Sequence, residues 1–201
     1  MMNKKVAKAL CDANVVKFGQ FTLSSNKKSP IYVDLRVLPS YPEPMNVIAE
    51  ELAKVVKKLG VDKVAGAETA GIPIAMAISM KAKLPMIYVR RRPKGYGTFS
   101  LIEGVLEQGE NVVLIDDLIT DGGSKMTFID GIRKGGAIVE SVLVILDRGQ
   151  GGEETLSKEN IKLCSLITLR ELLDYMKENK LVEDSDYNQT IAYLENPDSS
   201  A

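Results

Sequence analysis

The stretch VVLIDDLITDGGS, Val112–Ser124, concentrates the residue types that do chemistry. A run of apolar residues reads as a buried strand that delivers two adjacent carboxylates, Asp116 and Asp117, to a sheet edge. The turn TDGGS then opens a helix. Gly122 and Gly123 let backbone approach a ligand closely, and the free N–H groups and dipole of a helix N-terminus favour a phosphate. Thr120 and Ser124 offer hydroxyls to the same group, and Asp121 puts a carboxylate inside the turn, where it either caps the helix or weakens an anion. Carboxylates accept hydrogen bonds from sugar hydroxyls, so an acid pair just before such a cradle suits a ribose phosphate. An ordinary strand–turn–helix with an Asp at its N-cap is the plainer alternative. No GK[ST] follows the glycines, so this is not a Walker loop.

Three other segments carry charge or glycine where a strand should end. Arg90, Arg91, Arg92 and Lys94 place four cations in five residues beside Pro93 and Gly95. They repel one another without an anion, and pyrophosphate is the natural partner, because Arg binds it bidentately and Lys adds a point charge. A nucleic-acid patch or a solvated face is the alternative. The polar loop Arg91–Ser100 is expected to close over that anion. Glu68-Thr69-Ala70-Gly71-Ile72-Pro73 forms a second strand-to-helix loop, in which an acid helps an anion only by pointing away or meeting a metal. Arg148 follows an apolar strand and precedes Gly149, Gly151 and Gly152. Its guanidinium suits a substrate carboxylate, and a salt bridge to Asp147 or Glu153 is the alternative.

Positioning such groups takes strands that alternate with helices. Val6, Leu10 and Ala13 predict an N-terminal helix over 3–17, followed by extended pieces at Phe21–Leu23 and Ile31–Arg36 around the turn SSNKKSP. SYPEPMNVIAEELAKVVKKLG predicts a long amphipathic helix ending at Gly60. Strands at Lys63–Ala67, Met86–Arg90, Leu101–Leu106, Val112–Asp117, Ser141–Leu146 and Ile161–Ile167 alternate with helices at Gly71–Ala82, Gly123–Lys134 and Leu169–Asn179. The final residues, from about 183, read as a polar tail with a short helix near Gln189–Leu194. Strand–helix alternation implies right-handed crossovers and a central parallel sheet, with ligands beyond the carboxyl ends of its strands.

Composition narrows the chemistry. The chain has 201 residues, suited to one domain with a small N-terminal hood over about 1–40. It has no His, which excludes His-based triads and His zinc sites. Cys11 and Cys164 read as free thiols of a reducing compartment. The net charge of -1 gives no global field for nucleic acid. No apolar run approaches a membrane span, and the polar start lacks a signal peptide. A cytoplasmic protein is expected.

Val112–Ser124 resembles the phosphoribosyl pyrophosphate (PRPP) signature of the type I phosphoribosyltransferases: apolar strand, two acids, two apolar residues, Thr and a Gly-rich turn. FGQFTLSSNKKSPIYVDLR, Phe18–Arg36, resembles the hood of the orotate branch. RRRPKGYGTFSLIEG, Arg90–Gly104, resembles its catalytic loop, and LDRGQGG, Leu146–Gly152, its pyrimidine-side loop. The resemblance implies an α/β fold with a central parallel sheet and a small hood. It implies transfer of phosphoribose from PRPP to orotate with Mg²⁺, to which no direct protein ligand is assigned. It assigns Lys94, Asp116 and Asp117 to catalysis. PRPP would be bound by Arg91, Arg92, Lys94, Tyr96, Asp116, Asp117, Leu118, Ile119, Thr120, Asp121, Gly122, Gly123 and Ser124, and orotate by Thr120 and Arg148. It further implies a homodimer that shares the Arg91–Ser100 loop across its interface, without nucleic acid or membrane. Ser24 departs from the family's hood lysine, for which Lys27 or Lys28 would have to substitute. Transfer to another base, or a PRPP-sensing regulator of the same fold, are the competing expectations.

Overall fold

The computed structural model describes residues 2–22, 28–93 and 101–196. Helix α1, Lys4–Asp12, is capped by the Asn3 side chain on the Val6 N–H. It stops short of the expected residue 17, because Asn14 turns the chain with a positive φ of 51° and the next residues join a strand. Strands β1, Val16–Thr22, and β2, Lys28–Val33, form an antiparallel hairpin, and a 3-10 turn follows over Leu35–Ser40. Helix α2, Pro42–Leu59, starts on its prolines and ends at Gly60 in the left-handed region.

The main sheet is built by β3, Lys63–Ala67, β4, Met86–Val89, β5, Ile102–Glu103, β6, Asn111–Ile119, β7, Ile138–Asp147, and β8, Lys162–Thr168. Its order is β5-β4-β3-β6-β7-β8. All neighbours are parallel except the short edge strand β5, which is antiparallel to β4. Helices α3, Gly71–Ala82, and α4, Gly123–Lys134, cross over between parallel strands, as alternation predicts. The crossover from β7 to β8 carries a helix the sequence did not reveal, α5, Gly152–Ser157. Helix α6, Leu169–Glu178, begins on a Thr168/Glu171 capping box.

The short helix expected near Gln189–Leu194 is a longer one of three turns, α7, Asp184–Glu195, with Thr190 and Tyr193 buried against the hairpin side of the molecule. The expected strand at Leu101–Leu106 shrinks to two residues.

Alternate residues of the central strands feed two separate cores. Val113 and Ile115 of β6 and Leu143 and Ile145 of β7 join one layer with α1, α2, α3 and α6. Val112 and Leu114, with Val142 and Val144, join the other with Phe128, Ile129 and Ile132 of α4. Burial on both faces explains why these strands read as continuous apolar runs. It also leaves the strand ends as the place for polar groups. Among the described residues no helix is long and apolar enough to cross a membrane.

Candidate active site

The carboxyl ends of β3, β4, β6 and β7 and the end of the β1–β2 hairpin surround a cavity of about 520 Å³. Asp116, Asp117, Leu118, Thr120, Ser124, Arg91, Arg148 and Glu68 line it, so the sequence expectations for these residues converge on one place.

The acid pair is more buried than a strand end suggests. Asp116 is only 7% exposed. One of its oxygens accepts the Asp117 N–H at 2.9 Å, and the other pairs with the Lys125 ammonium. Asp117 accepts the Leu118 N–H at 2.8 Å. Burial first, and then the neighbouring Asp116 charge, push the Asp117 carboxyl up to about 6. Ile119 does not face the cavity. Its side chain is fully buried in the second core, where a Cβ on Gly152 would sit 2.7 Å from it. The period of two along a strand turns it inward once Leu118 faces out. Its carbonyl still serves the site, because it accepts the Arg148 N–H at 3.0 Å.

In the turn, Thr120 and Ser124 line the cavity, and Asp121, Gly122 and Gly123 do not. Asp121 is exposed and accepts the Gly123 N–H at 3.0 Å, so its carboxylate caps the helix start. Gly122 needs its positive φ of 83°.

The cation-rich loop divides. Glu68 accepts the Arg91 N–H at 2.7 Å, so this acid anchors the base of the loop instead of opposing an anion. Arg90 is turned toward Glu103 at 3.8 Å, which gives it a counter-ion on its own chain, contrary to the expected mutual repulsion. Arg91 lines the cavity, and Arg92 is exposed and does not. Lys94, Tyr96 and the rest of the loop to Ser100 lie outside the described residues, as do Ser24 and Lys27. Lys28 donates to the Thr22 hydroxyl at 2.8 Å and lines a different cavity beside α7, so it does not stand in for the missing hood lysine.

Arg148 is 8% exposed, and its Nε and Nη2 have no hydrogen-bond partner among the described residues. Asp147 instead accepts the Gly149 N–H at 2.8 Å, and no ion pair with Glu153 forms. Burial pulls the Arg148 guanidinium below its ordinary pKa. A buried cation without a counter-ion is costly unless an anion completes it.

Sequence reading missed Lys125, Tyr32, Val33 and Arg36, which complete the lining. Tyr32 stacks on Phe21 at 5.4 Å, and its hydroxyl accepts from Arg36, whose Nε pairs with Asp34 at 2.8 Å.

Two glycines let the β3–α3 loop seat against β6. A Cβ on Gly71 would lie 2.3 Å from the Ile115 carbonyl, and one on Gly66 2.9 Å from the Gly71 carbonyl. Gly71→Ala therefore pushes α3 off the strand that carries Asp116. It is expected to cost about 1–3 kcal/mol of stability, with a matching loss of activity. A denaturant midpoint equal to that of the unaltered protein would show that the loop gives way freely.

No family model matches the chain. Orotate phosphoribosyltransferase of Methanocaldococcus jannaschii is 41% identical over 168 residues, covering 84% of this chain and 95% of that protein. Among solved structures, UMP synthase of Leishmania donovani superposes with a TM-score of 0.88 at 38% identity, over 95% of this chain and 42% of that longer one. Orotate phosphoribosyltransferase of Aeropyrum pernix superposes with a TM-score of 0.74 at 31% identity, over 86% of this chain and 99% of that one.

Proposed function

The chain belongs to the orotate phosphoribosyltransferase family, and from that premise we propose how its own residues join orotate to PRPP, giving orotidine 5′-phosphate and pyrophosphate for pyrimidine biosynthesis. The observation that carries the assignment of the base side is Arg148, a buried guanidinium with two unpaired donors on the cavity that also holds the acid pair.

As pyrophosphate leaves, C1′ of the ribose gains oxocarbenium character. The chain must then neutralise a departing polyanion and keep water out. No protein nucleophile is required. Asp117 accepts from the ribose hydroxyls, with Asp116 fixing the strand end beside it. Thr120, Ser124 and the remaining N–H groups of the α4 N-terminus take the 5′-phosphate. Arg91 and Lys94, with Arg92 and Tyr96 nearby in the chain, take the pyrophosphate. Arg148 and Thr120 orient orotate, and Tyr32 and Arg36 close the hood side. Among the described residues no cluster of three His, Cys, Asp or Glu could hold a metal alone. We propose that Mg²⁺ arrives on the diphosphate of PRPP, whose hard oxygens the ion prefers. No step assigned here to the chain runs through it.

The direct test is product formation from PRPP and Mg²⁺ with orotate, uracil, adenine or hypoxanthine. Turnover is expected with orotate alone. Equal use of uracil would remove Arg148 from base selection, and absence of any turnover would favour a regulator.

We further propose a cytoplasmic homodimer that shares the cationic loop. Support comes from α3, an apolar helix whose Met76 and Met80 are 51% and 74% exposed. Lys94→Ala is expected to lower kcat more than PRPP affinity, because its charge matters most as pyrophosphate departs. When inactive Lys94→Ala and Asp117→Asn subunits are mixed and exchanged, a two-fold dimer with shared loops leaves one intact site per mixed dimer, so about a quarter of the activity should return. No return after verified exchange means that Lys94 serves its own chain.

A further inference from the structure

The two adjacent acids are engaged differently, and a residue outside the roles assigned above makes the difference. Lys125 is the third residue of α4, and its ammonium reaches back to Asp116 on β6. The pair is withdrawn from water, with side-chain exposures of 7% for Lys125 and 9% for Asp116. The other Asp116 oxygen is held by the Asp117 N–H. Asp117 accepts the Leu118 N–H, faces the cavity and has no cation paired with it among the described residues. A lysine in the first turn of a helix opposes the helix dipole, and a lysine this buried is rare unless paired. A residue that stands against the helix dipole at a ligand cavity, buried on a single acid, points to a role in the site.

We propose that Lys125 is a positioning residue of the ribose seat: by taking up the Asp116 carboxylate it fixes one acid and leaves the adjacent Asp117 free, and charged, to accept the ribose hydroxyls. This rests on the reading of the acid pair as that seat.

Among the described residues the other charged or titratable groups around the cavity are Glu68 after β3, Arg91 after β4, Tyr32 and Arg36 from the hood, and Arg148 after β7. Glu68 is occupied by the Arg91 N–H, and Arg36 by Asp34 and Tyr32. Among the described residues Lys125 is the cation in direct contact with the acid pair. Asp117 feels the same arrangement: burial and Asp116 push its carboxyl up, and Lys125 pulls it down. Without the ammonium the Asp116 charge would act unopposed, and Asp117 would hold its proton to higher pH.

The test is the pH profile of kcat/KM for PRPP. Lys125→Met is expected to move its acid limb upward by about one pH unit or more. At acid pH, below both limbs, the KM for PRPP should rise about tenfold, with a smaller change in kcat. Lys125→Arg keeps the charge and should leave the limb within about half a unit. A control separates the two readings. If Asp117→Asn stays active, the ribose seat is misassigned. If Asp117→Asn is inactive and folded Lys125→Met keeps its acid limb in place, the role of Lys125 falls and the seat stands. Should Lys125→Met not fold, PRPP affinity is measured by calorimetry for Asp116→Asn with and without Lys125→Met. The second change should then weaken binding by less than about threefold, because the anion it held is gone. A further loss of about tenfold would mean that Lys125 touches PRPP itself and would overturn the inference.

Discussion

Asp117→Asn is expected to lower turnover by about 10³-fold or more, in a protein that is folded and at least as stable. The amide replaces an acceptor with a group that offers a donor to the ribose hydroxyls, and it removes the negative charge that answers the forming oxocarbenium. Stability moves the other way. The folded-state pKa of Asp117 lies at about 6, above its ordinary value of 3.8. The folded protein therefore binds the proton more tightly than the unfolded chain. That contribution is complete below pH 3.8 and is lost as pH rises through about 6. Asn does not ionise, so the variant escapes the loss, and its thermal midpoint at neutral pH should match or exceed that of the parent. In the parent, kcat/KM for PRPP should show an acid limb near pH 6. Ordinary turnover by a folded Asp117→Asn variant would sink the ribose assignment. Asp116→Asn is a poorer test, although the motif treats the two acids alike. It leaves the Lys125 ammonium buried without its partner, which costs about 3–5 kcal/mol, so its activity or binding is read only on protein that a melting curve shows to be folded.

Arg148→Met is expected to lower kcat/KM for orotate by about 30- to 1,000-fold, the equivalent of losing about 2–4 kcal/mol of charge-assisted hydrogen bonding. The KM for PRPP should change by less than about threefold. The same variant should unfold at a higher temperature, because Met fills much of the space of a guanidinium that is buried at 8% exposure with Nε and Nη2 unpaired. Loss of activity with gain of stability is the signature of a group kept for a ligand. A structural salt bridge would give the opposite sign in the melting curve. Reduced PRPP affinity instead of reduced orotate use would place Arg148 on the phosphate side.

Much of this site was legible in the chain. Val112–Ser124 is a strand, a turn and a helix start in continuous sequence, and local pattern fixes the order in which carboxylates, hydroxyls and glycines appear. Alternation of apolar runs with helices fixed the parallel sheet, and with it the edge at which those groups emerge. Arg148 was expected at the sheet edge for the same reason, because it follows the last residues of a buried strand, and it lines the cavity.

What tertiary structure decided is which charge meets which. Lys125 lies nine residues beyond Asp116, yet the turn into α4 folds it back onto one acid and not the other. Glu68 and Arg91 are 23 residues apart and meet because β3 and β4 are neighbours in the sheet. Arg90 finds Glu103 through the antiparallel edge strand β5, and Arg148 finds no counter-ion among the described residues although Asp147 and Glu153 are close in sequence. The first half of helix α7 escaped notice because its apolar face is narrow and its buried members are Thr190 and Tyr193, side chains with a polar atom each. Periodicity in a sequence reports which face of an element is dry, since burial repeats with the geometry of that element. Pairing between side chains depends on crossovers that bring distant strand ends within about 3 Å, and no local pattern encodes that distance.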